Sequence, residues 1–290
     1  MHVLTTAFTF SLFCAAILAG DEGKSDLGNY SLFNPAPKES LRPLQSEGFD
    51  RVMNPFTVDA GHFQMEANLG ELYYTSSRGT FPSGTTYNFR AEQFAWAPTF
   101  KVGLLDNLDF EVTPTYFRQS TRQAGTFPGG FPYTIKNDFN NFGRITTAAK
   151  VNLWGNNEGT TSFALKPYLS IPTQNGDLLG GVEAAAAFRL PQQMTLKLSS
   201  GIEAIENNRH ATFCQFANGL TLDKMFGRKT TVFINLNAYI TSQKSQDWWG
   251  YTGFGAAYNL TKNFQVYAGM RFGLEAGYDY DPYVGITWRY

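Results

Sequence analysis

The sequence predicts an all-β protein, an antiparallel transmembrane β-barrel of about 12 strands, from its composition and its two-residue hydrophobic alternation. Charged residues make up 16% of the 290-residue chain and aromatic residues another 16%. Soluble domains average about 25% charged residues, so a soluble chain of this composition would need a very large apolar core. After the N-terminus, no segment is an apolar run of the roughly 18 residues that indicate a spanning helix. A barrel satisfies both observations, because its apolar residues alternate with polar ones.

The N-terminus predicts a secretory signal peptide over residues 1–20. The apolar stretch from Val3 to Leu18 ends in small residues, and the acidic pair Asp21–Glu22 follows. Residues 21–60 contain several prolines and no clear period, which predicts a periplasmic extension or a plug, and residues 61–290 form the predicted barrel. Loss of the signal peptide leaves Cys214 as the one cysteine, so we expect no internal disulfide and interpret Cys214 as an apolar wall residue.

The strands are predicted from runs in which apolar and polar side chains alternate. In residues 231–240, for example, aliphatic side chains at even positions alternate with mostly polar ones at odd positions. Such runs are about 9–11 residues or slightly longer, the length that a tilted strand needs to cross the hydrocarbon layer. They lie near residues 63–75, 88–104, 108–117, 143–153, 161–171, 181–190, 194–204, 212–222, 230–242, 248–260, 264–274 and 281–290.

The links between these strands alternate in length. Short links follow the even-numbered strands, and the long links 76–87 and 118–142 follow odd-numbered ones. This phase is typical of outer-membrane barrels and predicts periplasmic N- and C-termini. The last strand ends on the aromatic Tyr290. Final strands of this kind are recognised by the bacterial barrel-assembly machinery, which we therefore expect as a partner together with outer-membrane lipid.

A soluble, lipocalin-like barrel or sandwich is the alternative fold. It is also all-β and secreted, but it would bury its apolar faces and expose its polar ones. Alternation alone does not decide which face lies inside. The low charge and the many aromatic residues favour a barrel with lipid outside.

Residues 54–66, NPFTVDAGHFQME, resemble the start of the barrel in one outer-membrane family. The matching positions are Pro55, Val58, Gly61, His62, Phe63, Gln64 and Glu66. FKVGLLDNLDFEV and the turn at residues 259–263 are similar to the family as well, although Met53–Asn54 replaces its frequent Asp-Arg pair. The chain thus resembles the Gram-negative β-barrel proteins assigned to transport in the meta-pathway of phenol degradation. This resemblance implies an outer-membrane location and a role in transport.

The predicted register places charges of both signs inside the barrel. They are Glu66, Lys101, Asp109, Glu111, Arg144, Lys150, Lys166, Glu183, Arg189, Lys197, Glu203, Arg271, Glu275 and Arg289. As pore-lining candidates we select Lys101, Asp109, Glu111, Arg144, Lys150, Lys166, Glu183, Arg271 and Arg289. Such residues either line a polar path that selects solutes by charge, or pair with one another and fill the interior. Barrels of about 8 strands are filled by their own side chains, and barrels of about 16 strands contain an open channel. A barrel of twelve strands is intermediate in diameter, so a narrow pore is one interpretation of the lumen.

The aromatic residues divide into two groups. Those near strand ends, including Tyr73, Trp249 and Tyr290, are predicted to anchor the barrel at the lipid headgroups. Phe127, Phe131 and Tyr133 instead lie in the longest predicted link, where we expect water. They are candidates for capturing a hydrophobic solute outside the cell, for narrowing the lumen, or for packing between loops.

Three functions remain open at this point. The first is a passive outer-membrane channel or transporter for small, hydrophobic or aromatic solutes, and the second is a closed structural or adhesive barrel. The third is a lipid hydrolase, whose bases would be His62 or His210, although no serine stands at a convincing spacing. We expect no enzyme activity, no metal and no cofactor, and the near-zero net charge gives no reason to expect nucleic acid as a partner.

Overall fold

The computed structural model of the protein describes residues 30–157, 159–206, 211–243, 248–275 and 279–290. The predicted signal peptide lies outside these ranges. The strands are β1 (Phe63–Thr80), β2 (Thr86–Trp96), β3 (Thr99–Leu105), β4 (Leu108–Thr126), β5 (Pro132–Trp154), β6 (Thr161–Pro172), β7 (Leu179–Leu190), β8 (Met194–Glu206), β9 (Thr212–Phe226), β10 (Thr230–Thr241), β11 (Trp249–Thr261), β12 (Phe264–Glu275) and β13 (Tyr280–Arg289). Within the described ranges, no helix is long and apolar enough to cross a membrane.

The strands close into one antiparallel sheet. Apart from β2 and β3, which do not pair with each other, consecutive strands are paired, and β13 returns to pair with β1. β2 and β3 share one position in the wall, because both pair with β1 on one side and with β4 on the other. The barrel therefore has twelve positions around its circumference, which confirms the predicted fold class.

The break between β2 and β3 falls inside the predicted strand 88–104. Pro98 lies at the break and is fully buried. Proline has no backbone N–H and cannot donate to the ladder, so strand pairing stops there and resumes at Thr99. The pattern of apolar residues is continuous across this point, which is why the sequence alone predicts a single strand.

The prediction that residues 76–87 and 118–142 are links between strands is wrong. In the structure they are the extended ends of paired strands, and only residues 81–85 and 127–131 form the turns. Their side chains are mostly polar, which removes the alternation that marks a strand with one apolar face. An antiparallel hairpin in water needs no apolar face, because the backbone of the opposite strand satisfies its hydrogen bonds.

The apolar face of the wall points outward. On β10, Val232, Ile234 and Leu236 are 38–58% exposed, whereas Phe233 and Asn235 between them are 3% exposed. Soluble barrels show the reverse arrangement. Exposure of the aliphatic face excludes the lipocalin-like alternative and indicates a wall that is solvated by lipid.

The motif Gly61–His62–Phe63 joins the N-terminal segment to the closing seam of the barrel. Gly61 has a φ of 76°, and an added Cβ would lie 2.6 Å from Pro35, so a side chain is excluded at this turn. The backbone N–H of Tyr290 donates to Phe63 at 2.8 Å. The ring nitrogens of His62 contact the carbonyl oxygens of Tyr290 and Ala36 at 2.9 and 2.8 Å. The chain terminus and the start of β1 are thus fixed together.

Residues 42–59, which we call the luminal segment, lie inside the barrel. Their contacts reach strands on all sides, including β3 and β5 through Glu47, β8 and β10 through Asp50, and β13 through Phe49. A segment that contacts opposite walls of a closed sheet occupies its interior.

Candidate functional site

Glu47 of the luminal segment stands at the centre of a buried charge cluster. It contacts Lys150 at 2.7 Å, Lys101 at 3.1 Å and Lys166 at 3.7 Å. Glu111 contacts the same three lysines at 3.2–3.9 Å. Two carboxylates and three ammonium groups therefore bind one another where the luminal segment meets β3, β4, β5 and β6.

The remaining candidates of this region extend the cluster. Lys101 also binds Glu66 at 2.8 Å, and Lys166 binds Glu183 at 3.4 Å. Asp109 accepts a hydrogen bond from the backbone N–H of Val58 at 2.9 Å. The structure thus brings together six of the predicted pore-lining residues: Lys101, Asp109, Glu111, Lys150, Lys166 and Glu183.

Asp50 and Arg51 fix the luminal segment to two further sides of the barrel. Asp50 binds Lys197 of β8 at 2.5 Å. Arg51 pairs with Glu71 of β1 and contacts the Tyr73 hydroxyl. Arg51 has a φ of 55°, in the left-handed region that non-glycine residues avoid.

The neighbouring Phe49 makes contacts of a different kind. Its ring packs on Phe233 and Tyr267, with centroids 5.0 and 6.3 Å apart, and Lys197 lies 4.6 Å from its centroid. The Tyr283 hydroxyl donates to the backbone oxygen of Phe49 at 2.5 Å. The β10–β13 side therefore holds the luminal segment mainly by aromatic packing.

Three predicted candidates lie away from the central cluster. Arg271 is buried and binds Asp281 at 2.6 Å and Glu71 at 3.5 Å. Arg289 binds Asp59 at 2.7 Å, near the end of the luminal segment. Arg144 lies toward the hairpin end of the wall, donates to Ser170 and stands 3.6 Å from Glu206.

The two acidic groups of the luminal segment differ in their electrostatics. Burial disfavours ionisation of Glu47, but Lys101, Lys150 and Lys166 outweigh it and hold the pKa of Glu47 well below its usual range. Burial raises the pKa of Asp50 above its usual range, because Lys197 compensates for only part of the lost hydration. The number of nearby cations accounts for the difference.

The luminal segment separates the interior into two spaces. On the side of the short turns lies a cavity of about 700 Å³, whose lining includes Arg42, Phe49 and Arg289. On the hairpin side lie two cavities of about 340 and 350 Å³ that share Arg51 and Tyr239 in their linings. The luminal segment contributes Phe49 to one side and Glu47 and Arg51 to the other, so it forms a floor between them.

Aromatic side chains line the second cavity on the hairpin side. Tyr239 and Trp249 stack with centroids 3.9 Å apart, and Tyr73 and Tyr251 complete the aromatic surface. Gln93 supplies an amide group to the same cavity. The prediction that Tyr73 and Trp249 belong to the interfacial girdle is wrong, because the strand register turns both side chains inward.

The candidate capture residues lie at the tip of the β4–β5 hairpin. Phe131 is 70% exposed and Phe127 is 50% exposed. Phe127 packs on Tyr133, with centroids 4.7 Å apart, and the Tyr133 hydroxyl donates to Thr86 at 3.2 Å. Phe127 and Tyr133 therefore pack within the hairpin tips, whereas Phe131 is largely exposed.

Of the residues considered for hydrolysis and metal binding, the structure describes His62, which is buried at the closing seam, and Cys214, which lies on β9. Both ring nitrogens of His62 contact carbonyl oxygens, as described above, and His210 lies outside the described residues. Cys214 is exposed on the outer face of the wall, opposite Ala204. In the part of the chain that the structure describes, no three His, Cys, Asp or Glu side chains are grouped to hold a metal ion.

Sequence reasoning missed Glu47, Phe49, Asp50 and Arg51, which lie in a segment without periodicity. One signal was available, because basic residues outnumber acidic ones among the charges predicted for the lumen. Buried charges require partners, so the excess lysines and arginines indicate that acidic groups come from elsewhere in the chain.

Comparison with known proteins gives a family and a fold. The family model described as "Putative MetA-pathway of phenol degradation" matches residues 46–282. The chain is similar in structure to an outer membrane channel from Pseudomonas putida F1, with a TM-score of 0.56, 13% identity and coverage of 85% of this chain and 100% of the other. It is also similar to the transport unit of the autotransporter AIDA-I from Escherichia coli, with a TM-score of 0.50, 9% identity and coverage of 97% and 98%.

Identities this low show the shared barrel fold alone, whereas the family model covers most of the sequence. No curated protein matches the chain. The resemblance of residues 54–66 is confirmed, and the chain belongs to the family described as "Putative MetA-pathway of phenol degradation".

Proposed function

We propose that the protein is a passive channel for small solutes in a bacterial outer membrane, with the luminal segment as its plug. The observation that carries the proposal is that the luminal segment, and not the side chains of the wall alone, fills the interior of the barrel. Barrels of about 8 strands are filled by wall side chains alone. Here the wall leaves room for a length of backbone, and ion pairs from Glu47 and Asp50 hold that backbone in place.

The orientation proposed for the channel follows outer-membrane barrels in general. Their short turns face the periplasm and their long hairpins face outward. The turn side, with the N-terminal residues and Tyr290, would then be periplasmic, and assembly would use the final strand. The hairpin tips with Phe127, Phe131 and Tyr133 would meet the external medium, where solute is captured.

Aromatic or otherwise hydrophobic solutes are the proposed cargo. The cavity between Tyr239, Trp249 and Tyr251 offers ring faces on which a planar solute can stack, and Gln93 offers hydrogen bonds. At about 350 Å³ the cavity has the size of a small-molecule site. We propose no catalytic role.

A closed structural or adhesive barrel is the second candidate. The contacts of the luminal segment favour it, because they pair lumen charges with acidic groups and place backbone across the interior. In that case the hairpin tips would be the working surface and the interior charges would serve stability.

Single-channel current across a planar bilayer tests the proposal. We expect small or rare steps from the mature protein and frequent, larger steps after deletion of residues 21–60. Strand content by circular dichroism and heat-dependent mobility on a gel are the controls for a folded barrel. Silence from both folded proteins would favour the closed barrel.

Solute preference is tested by the flux of a small aromatic compound against an aliphatic one of equal size in proteoliposomes. We expect Trp249→Ala to reduce the aromatic flux alone, and Phe131→Ser to reduce it at low solute concentration. Equal effects on both solutes would remove the aromatic preference while leaving the channel in place.

A further inference from the structure

The β1–β2 and β4–β5 hairpins form a sheet of four strands that continues beyond the rest of the wall. Among the described residues, β13 pairs with β1 only as far as Tyr74, and β6 pairs with β5 only from Arg144 onward. The pairing between β2 and β4 joins the two hairpins as far as Thr126. The sheet therefore has two lateral edges, which are β1 over residues 75–80 and β5 over residues 132–142.

The edge of β5 is open over four residues. The N–H of Phe127 donates to the carbonyl oxygen of Phe131 at 2.9 Å, which sets the phase of the β4–β5 ladder. Because an antiparallel ladder alternates, the even-numbered residues of β5 direct their N–H and C=O groups away from β4. At the two ends of this edge, Pro132 has no N–H, and the hydroxyl of Thr173 donates to the carbonyl oxygen of Phe142 at 2.6 Å. Between these ends, four residues have outward backbone groups to which no described residue forms a hydrogen bond: Thr134, Lys136, Asp138 and Asn140.

The edge of β1, in contrast, is capped. Asp279 accepts hydrogen bonds from the backbone N–H and the hydroxyl of Ser76 at 2.7 and 3.0 Å, and its own N–H donates to Tyr74. A charged cap of this kind prevents further strand pairing. The described residues give β5 no such cap between residues 134 and 140, although Ile135 and Phe139 are 51% and 52% exposed. An open edge with exposed apolar side chains is a template for another strand.

The open edge is complementary to a second copy of itself. Its midpoint is Asn137, and antiparallel pairing about this residue aligns the outward backbone groups of the two copies. Lys136 then faces the partner's Asp138, and Ile135 faces the partner's Phe139. Registers shifted by two residues would place Lys136 opposite the partner's Lys136, or Asp138 opposite the partner's Asp138. A lysine on an edge opposes pairing with most strands, so Lys136 selects a strand with an acidic residue at this position.

Charges on the neighbouring strands favour the same register. Arg90, Arg122 and Lys136 lie side by side across β2, β4 and β5, and like charges at such positions are unfavourable. Glu92 of β2 and Asp138 of β5 lie in the next row on the same face. No described residue forms an ion pair with any of these five groups. Pairing in this register continues the basic row of one copy into the acidic row of the other.

We propose that β5 pairs edge to edge with β5 of a second copy of this chain, through residues 134–140. The outward residues of the two copies exchange about eight backbone hydrogen bonds. The twofold axis of an antiparallel pair is perpendicular to the sheet, and the sheet continues the wall, so the axis reverses the direction of the barrel. With the hairpins outside, the two copies therefore lie in two apposed membranes. The pairing needs no path through the lumen, so it holds whether or not the channel conducts.

Disulfide cross-linking tests the register. Asn137→Cys in a Cys214→Ser background, which removes the exposed native thiol, places the two new thiols opposite each other. The Cα atoms of such a pair are about 4.5 Å apart, within the range of a disulfide. We expect mild oxidation of the mature protein to cross-link this variant. Asn140→Cys, also exposed on the same strand, should give no cross-link by itself, because it faces Thr134, but should give one when mixed with Thr134→Cys. Equal or absent cross-linking of the Asn137 and Asn140 variants would overturn the proposal.

Charge reversal tests the complementarity without a disulfide. Lys136→Asp alone and Asp138→Lys alone each place like charges opposite one another, so we expect either change to weaken self-association in detergent about tenfold, measured by sedimentation. An equimolar mixture of the two variants restores unlike charges and should associate as the native protein does. Lys262→Asp, an exposed lysine of the β11–β12 turn, is the matched control and should have no effect. A mixture that remains as weak as its components would overturn the proposal.

Phosphatidylcholine vesicles test the arrangement in two membranes. Two vesicle populations carry the Asn137→Cys protein with tags of different length, so a cross-link between the two tags joins two vesicles. We expect this cross-link to form on mixing, whereas cross-links confined to each population would overturn the proposal. Loss of co-purifying lipopolysaccharide from Lys136→Asp, with self-association unchanged, would also overturn it, because the basic row would then bind lipid phosphate. Single-channel current of the same variants should equal that of the native protein, and silence would count against the channel and not against the pairing.

Discussion

The luminal segment is held by two unlike sides of the barrel. Toward β3–β6 its contacts are ionic and converge on Glu47, with three lysines within 3.7 Å. Toward β10–β13 they are largely aromatic and converge on Phe49, which is 6% exposed. The two anchors are only two residues apart in sequence, so a short length of backbone spans the barrel between them.

This difference assigns separate roles to the two sides. Aromatic packing has little directional preference and stabilises the docked segment under most conditions. A buried ion cluster is stable only while every charge has its partners, because an unpaired buried charge is costly. We therefore expect the aromatic side to secure the segment and the ionic side to set the conditions under which it is released.

The largest expected effect is that of Glu47→Gln. The change leaves Lys101, Lys150 and Lys166 with fewer carboxylates, and breaking a buried pair costs about 3–5 kcal/mol. A loss of about 4 kcal/mol in docking, in the middle of that range, raises the undocked population several hundred-fold. Trypsin cleavage after Arg51, followed by mass spectrometry, measures that population when opening is fast relative to cleavage.

Glu39→Gln is the matched control for this variant, because Glu39 is an exposed carboxylate of the same N-terminal region. It should leave the cleavage rate unchanged. An unchanged rate in Glu47→Gln as well would mean that Glu111 and Glu66 suffice for the lysines, and that the ionic side does not control release.

Phe49→Ala is expected to have a somewhat smaller effect of about 3 kcal/mol, at the lower end of the range for buried phenylalanines. The ring loses its contacts with Phe233 and Tyr267, while the charges keep their partners. The same cleavage assay applies, with Phe33→Ala as control, because Phe33 is 94% exposed. A much smaller effect than that of Glu47→Gln would refute a securing role for the aromatic side.

Tyr283→Phe tests a single contact on the aromatic side. It removes the hydrogen bond from the hydroxyl to the backbone of Phe49, which should cost about 1 kcal/mol. We expect a cleavage rate about fivefold higher than that of the native protein. Tyr280→Phe, on the exposed face of the same strand, should have no effect. Equal rates in the two variants would show that packing alone holds this side.

The sequence predicts the strands of the barrel wall better than it predicts the luminal segment inside the barrel. The alternation around Val232–Asn237 identifies which residues share a face, because a strand has a period of two whatever surrounds it. Polar strand ends such as residues 118–126 escape detection, since water on both faces removes the alternation. Lys150 and Lys166 could be placed inside, but their partner Glu47 could not, because an irregular segment is positioned by tertiary contacts alone.

The pH dependence of the release of the luminal segment follows from the opposite pKa shifts of Glu47 and Asp50. Between neutral pH and about pH 5 this dependence should be small. The pKa of Asp50 is raised in the docked state, so docking is strengthened as pH falls from neutral toward the ordinary carboxyl range. The pKa of Glu47 is well below its usual range in the docked state. Its contribution to the free energy of docking is therefore present above the ordinary carboxyl range and is lost only as the pH falls further.

Single-channel recordings should therefore show no opening on mild acidification and a sharp rise in opening only at strongly acidic pH. Asp50→Asn should remove the strengthening and leave the acidic rise, whereas Glu47→Gln should be open at every pH. Opening of the native protein between neutral pH and about pH 5 would contradict the assignment of release to Glu47.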